Sequence, residues 1–199
     1  MFPCRNYVII YDPLPDGAGV ELIRFSMRPE TIAISTIRNG RQMPQIYVDA
    51  DACPVKPEIL KVAERHGIEV TFVANSGLRP SRDPMVRNVI VSNAFDAADN
   101  WIAKHATNSD VVVTADVPLA VRCVAGGSLV CGPTGRVFDD TNIGMASAMR
   151  DLGAHLRETG ESKGYNAAFS PKDRSRFLET FDRLCRRAKA AAAGTGDQK

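Results

Sequence analysis

From residue 46 onward the chain is punctuated by short apolar runs at 46–48, 70–73, 89–91, 111–113 and 129–130. They are rich in β-branched residues and lack polar alternation, the pattern of strands covered on both faces of a parallel sheet. Helical periodicity fills the gaps. Over 56–66, Ile59, Val62, Ala63 and His66 fall on one stripe, with Pro57 near the start and Gly67 just past the end. Shorter helices are predicted over 96–106 and 117–125. Met145, Met149, Leu152 and Leu156 then recur at helical spacing, marking a long helix that ends near Gly160. A last helix from about Pro171 places Phe177, Leu178, Phe181, Leu184 and Cys185 on one side. Strands alternating with helices through short loops predict an α/β fold: a doubly wound, mainly parallel sheet of about five strands flanked by helices.

The ends read differently. Residues 1–44 carry prolines at 3, 13, 15, 29 and 44 without sustained periodicity, so they are expected to be an irregular extension with one strand-like piece at 7–11. Met43, just before the first clear strand, is the expected natural start, with 1–42 upstream of it. Residues 45–190 form the single domain, and 191–199 a flexible tail.

The 199 residues suffice for one sizeable core. A net charge of +2 points to no partner class. The segment 172–189 is locally basic, with seven Lys and Arg against three acids. That suits either a solvated helix face or contact with phosphate. Five widely spaced cysteines (4, 53, 123, 131 and 185) form no metal-binding or disulfide pattern, so reduced thiols in the cytoplasm are expected. No apolar run is long enough to span a membrane.

Aspartates carry the candidate chemistry. Asp49 and Asp51 follow the first strand, Asp96 and Asp99 open a helix, and Asp116 follows the fourth strand. Ligands of an open parallel sheet bind outside the carboxyl ends of its strands. Two carboxylates about 4 Å apart repel by roughly 4 kcal/mol at an effective dielectric of about 20. Mg²⁺ or Mn²⁺, hard ions that prefer oxygen, would relieve that repulsion and steady the charge on a phosphoryl group. Each residue has a plainer reading. Asp96 and Asp116 suit helix caps, and Asp51 a turn before Pro54. Asp49 is the hardest to explain that way, whereas Asp110 opens a strand at the opposite end and is set aside. Asn75 and Ser76, ending the second strand, and Arg79 and Arg82 in the loop 75–84, are candidate substrate contacts. Cys53 reads best as a small buried thiol. No basic–aromatic interleaving marks a surface for stacking single strands.

The runs IYVDADACP (46–54), ANSG (74–77), DAADNWI (96–102) and DVVVTADVPLA (110–120), with Asn142-Ile143, Arg150 and 169–177, resemble the uncharacterised YaiI/YqxD family over about 45–190. That family is grouped with PIN-like folds, whose members are often metal-dependent ribonucleases. The resemblance therefore implies Asp49, Asp51, Asp96, Asp99 and Asp116 as catalytic or metal-ligand candidates. PIN nucleases commonly carry a glutamate on the helix after the first strand, and here spacing does not choose between Glu58 and Glu64.

The leading expectation is a Mg²⁺- or Mn²⁺-dependent nuclease acting on RNA, with Asp49, Asp116, Asp96 and Asp99 around the metal. A non-catalytic RNA- or protein-binding module on a degenerate nuclease scaffold is one alternative. An Asp-based phosphatase is another, because Asp49-Ala50-Asp51 resembles the first motif of haloacid-dehalogenase-type enzymes. No well-placed downstream Lys and paired aspartates accompany it.

Overall fold

The computed structural model describes residues 9–13, 20–25, 37–38, 41–51, 53–76, 78–79, 81–92, 94–159 and 169–194, the backbone alone before residue 43. Cys4, Gly77, the predicted helix end at Gly160, the tail 195–199 and the prolines at 3, 15 and 29 lie outside these residues. The chain divides into two units, Met1–Ile32 and Ala33–Lys199. In the first, β1 (Ile9–Pro13) pairs antiparallel with β2 (Val20–Phe25). The expected strand-like piece is thus present in part, and it has a partner that the reading of an irregular extension left out. In the second unit β3 (Ile37–Arg38) pairs antiparallel with β4 (Arg41–Gln42).

The main sheet has six strands, β5 (Gln45–Asp49), β6 (Glu69–Ala74), β7 (Val86–Ile90), β8 (Val111–Val113), β9 (Leu129–Cys131) and β10 (Val137–Phe138), in the order β10-β9-β8-β5-β6-β7. All neighbours are parallel except β10, which returns antiparallel beside β9. From β5 the chain steps outward through β6 to β7, then jumps back to β8 and steps the other way. The order therefore reverses between β5 and β8, opening a crevice at their carboxyl ends. This is the doubly wound, PIN-like α/β arrangement that the strand and helix pattern predicts.

Five helices cover the sheet: α1 (Lys56–His66), α2 (Ala97–His105), α3 (Val117–Ala125), α4 (Ile143–Glu158) and α5 (Pro171–Gly194). On one face Ile46, Val48, Val70, Phe72, Val111 and Val113 pack with Ile59 and Val62 of α1 and with Phe177, Phe181 and Leu184 of α5. On the other, Tyr47, Val73, Val112 and Val130 pack with Ile102 of α2, Leu119 and Cys123 of α3 and Ala146 of α4. The two core layers follow the period-two alternation of the strands.

α1 and α5 run side by side in the same direction. Near their starts Glu58 pairs with Arg174, whose guanidinium also lies over the Phe169 ring. Eight residues on, His66 Nε2 meets Asp182 Oδ1 at 2.9 Å, and Lys189 Nζ donates to the His66 carbonyl at 2.8 Å. Since α1 begins just after β5, the first turns of α5 also lie at the carboxyl edge of the sheet.

Two features of the helices go beyond the sequence pattern. Met145, Met149 and Leu152 are 67%, 60% and 50% exposed, so the apolar stripe of α4 faces outward. The helix docks instead through Ile143 and Ala146, with Gly153 and Ala154 half-buried. Small side chains let it approach α3 closely, and apolar periodicity does not report that face. The alanine-rich end, expected as a flexible tail from 191, continues α5 to Gly194 with Ala192 buried.

Candidate metal centre at the sheet switch point

Asp49 closes β5 on the same side of the sheet as Tyr47, toward α2 and α3. Thr114, just past the end of β8, points the same way and is buried. Its hydroxyl donates to Asp49 Oδ2 at 3.0 Å and accepts the Asp116 backbone N–H at 2.9 Å. Asp116 is the N-cap of α3, with Oδ1 accepting from the Leu119 N–H at 2.9 Å. One threonine thus ties the ends of both switch-point strands to the start of α3. It stands within the predicted Thr114-Ala115-Asp116 segment, but a buried hydroxyl carries no sequence signal of its own.

Burial raises the proton affinity of Asp49, the Thr114 hydroxyl and the Asp51 N–H oppose that rise, and the charges of Asp51 and Asp116 add to it. Asp99, in the first turn of α2, is pushed up to about 6. Burial is the largest cause, followed by the charges of Asp116, Asp49 and Asp96, against a smaller opposing effect of Arg122. The charges of Asp49 on β5 and Asp116 at the start of α3 thus reach Asp99 on α2, the like-charge condition that raises pKa values.

Asp96 occupies the N-cap position of α2 but makes no side-chain cap bond, and its backbone is left-handed at φ 55° and ψ 20°. The capping explanation fails for it and holds for Asp116. Asp51 is exposed on the turn after β5, with Oδ2 accepting from the Asn75 N–H at 3.3 Å. Asn75 is therefore at this edge, with exposed Ser76 next to it in the chain, and Asn75 Oδ1 is a buried acceptor without a hydrogen-bond partner.

Other candidates lie elsewhere. Among its described residues the β6–β7 crossover contains no helix, and it must run back along the sheet to start a parallel strand. Arg79 is partway along it, where its carbonyl accepts from Asn88 Nδ2 at 2.6 Å. Arg82 is next to Asp83, which lines a depression of about 340 Å³ with Gly67, Ile68 and Met85 at the amino end. Arg82 is thus not brought to the acidic edge. Asp110 is buried at the opposite end, holding the Gln45 and Thr107 N–H groups at 2.8 and 2.7 Å. Burial raises the Cys53 thiol pKa, which favours the unreactive thiol form. Of the two glutamates, Glu58 is buried and Glu64 exposed. Glu58 Oε2 has no hydrogen-bond partner.

The donors at the switch point are all oxygen, matching a hard divalent ion. Among the described residues no three acidic, histidine or cysteine side chains form a ready-made metal cage. A Mg²⁺-type ion does not require one, since it keeps several waters and binds through one or two carboxylates plus substrate phosphate.

The raised pKa of Asp99 gives a sign that can be checked. A carboxyl whose folded pKa exceeds its unfolded value favours the folded state below about pH 4 and loses that contribution as pH rises through about 6. Asp99→Asn is therefore expected to raise the melting temperature of the metal-free protein at pH 7 but not at pH 4. The gain is about 1 kcal/mol or less, because solvent screens a partly exposed group. Calorimetry at the two pH values measures it.

A family model described as an uncharacterised YaiI/YqxD family matches residues 47–187. A UPF0178 protein of Rhizobium etli is 89% identical over 151 residues, covering 76% of this chain and 97% of that protein. A UPF0178 protein of Agrobacterium fabrum is 83% identical, covering 74% and 97%. One from Parvibaculum lavamentivorans is 55% identical, covering 70% and 92%. No solved structure matches the chain. Among the described residues no helix is long and apolar enough to cross a membrane. The chain belongs to the uncharacterised YaiI/YqxD family.

Proposed function

We propose that the chain is a cytoplasmic, divalent-metal-dependent nuclease acting on RNA, with its centre at the β5–β8 switch point. One observation carries this reading: Asp49, Asp116 and Asp99 come from three separate elements at the edge where the sheet order reverses, and the charges of the first two raise the proton affinity of the third. That repulsion is a standing cost that a doubly charged ion would relieve.

Asp49 and Asp116 are the ligands, both steadied by Thr114. Asp99, with its pKa pushed up to about 6, completes the shell or orients the attacking water, and Asp96 stands beside it. When bound, Mg²⁺ or Mn²⁺ would lower the pKa of a coordinated water and stabilise charge on the phosphoryl oxygens. The first turns of α5 bring Lys172, Arg174 and Arg176 to the same edge, and the starts of α1, α2 and α3 add favourable dipoles for phosphate. The test is a labelled RNA incubated with Mn²⁺ or Mg²⁺, with and without chelator. Cleavage that the chelator abolishes is the expected result. No cleavage of single-stranded or folded RNA, together with no ion binding by calorimetry, would overturn the reading.

A further inference from the structure

Phe95 is 93% exposed, the highest value among the large apolar side chains described. It sits immediately before Asp96, the only described non-glycine residue with positive φ. The Ala97 N–H donates to the Ala94 carbonyl at 3.2 Å, closing a turn with Phe95 and Asp96 at its corners. The Asn100 N–H donates to the Asp96 carbonyl at 2.8 Å, which starts α2. A hydrogen-bonded turn joined to a helix fixes the backbone that carries the ring in a way that an open loop would not. A left-handed non-glycine residue next to a candidate site is a local cost that the surrounding structure maintains.

From this geometry we infer that Phe95 is a stacking platform for an unpaired nucleobase, and that the strand met at the acidic edge is single-stranded. A base and its own phosphate are separated by one sugar. Phe95 directly precedes Asp96, the N-cap of α2, and Asp99 lies in the first turn of that helix, so a base on Phe95 brings its phosphate toward these two residues. Bases inside a duplex already have both faces stacked, so an exposed ring can take only a base that is out of the stack. Stacking on one aromatic ring is tolerant of sequence, which suits a site without evident base-edge readers. The inference rests on the reading that the acidic edge meets a nucleic-acid strand, but not on turnover.

The experiment measures binding of a hydrolysis-resistant ten-nucleotide RNA in Mn²⁺, as a single strand, as a duplex and as a phosphodiester chain without bases. The wild-type protein is expected to prefer the single strand over both others. Phe95→Ala should weaken that binding roughly 5- to 100-fold, the range for one base on one ring. Phe95→Trp should retain it, with indole fluorescence quenched by the strand and not by the base-free chain. Equal affinity of Phe95→Ala and wild type would overturn the inference and leave the nuclease reading intact. The expected pattern without cleavage of a normal RNA would support the platform and count against the nuclease. Dimerisation that disappears in Phe95→Ala, without loss of RNA binding, would show that a second copy covers the ring and would also overturn the inference.

Discussion

Asp49→Asn is expected to lower metal-dependent RNA cleavage by at least about 100-fold while leaving the fold intact. A ligand carboxylate supplies charge as well as an oxygen, and losing several kcal/mol of charge stabilisation corresponds to two or more powers of ten in rate. Asparagine keeps the shape and retains one oxygen for the Thr114 hydroxyl, which donates to Asp49 Oδ2 in the native chain. The neutral side chain also escapes the burial that raises the proton affinity of Asp49. Stability in the absence of metal should therefore be nearly unchanged. The separation of effects is the informative part. Mn²⁺ should raise the melting temperature of the wild-type protein through linkage and do so far less in the variant. A variant keeping more than about a tenth of the activity would remove Asp49 from the metal shell, whatever the remaining acids do.

Strand and helix positions were largely legible because they depend on local pattern. The bounds of α1 and α3 match the periodicity and the capping residues, Pro57 with Gly67 and Asp116 with Pro118. The acidic edge was legible for a related reason: in a parallel sheet, chain order alone places residues that follow a strand at its carboxyl end. What depends on three-dimensional packing was not legible. The α4 stripe of Met145, Met149 and Leu152 has the right period, but the helix docks on small residues whose contribution is close approach. Arg82 is near Asn75 in sequence, but its neighbour Asp83 lies at the other end of the sheet, across a crossover in which no described residue is helical. The buried hydroxyl of Thr114 and the left-handed Asp96 are set by bonds and backbone angles that composition does not encode. β10 is too short for any periodicity to register.

The largest expected effect on stability belongs to Gly135, in the turn between β9 and β10. Its N–H donates to the Gly132 carbonyl at 3.0 Å, and the Gly132 N–H donates to the Arg136 carbonyl at 2.8 Å. Its φ of +79° lies in the region that side chains rarely occupy. A Cβ added there would stand 2.8 Å from both the Arg176 carbonyl carbon and the Phe177 nitrogen. These are backbone atoms inside α5 and cannot turn aside. Gly135→Ala therefore adds backbone strain of about 1 kcal/mol or more to a clash that pushes α5 off the sheet, for a total of roughly 2–4 kcal/mol. At about 2–4 °C per kcal/mol for a domain of this size, the melting temperature should fall by about 5–15 °C. Gly144→Ala in α4, where an added Cβ meets nothing within 4 Å, is the control and should be neutral or slightly stabilising. α5 carries Phe177 and Phe181 into the core and sets Arg174 against Glu58 at the acidic edge. Displacing it should therefore weaken binding at that edge as well as lower the melting temperature. If Gly135→Ala melts with the wild-type protein, the close approach of this turn to α5 is not what holds the helix in place.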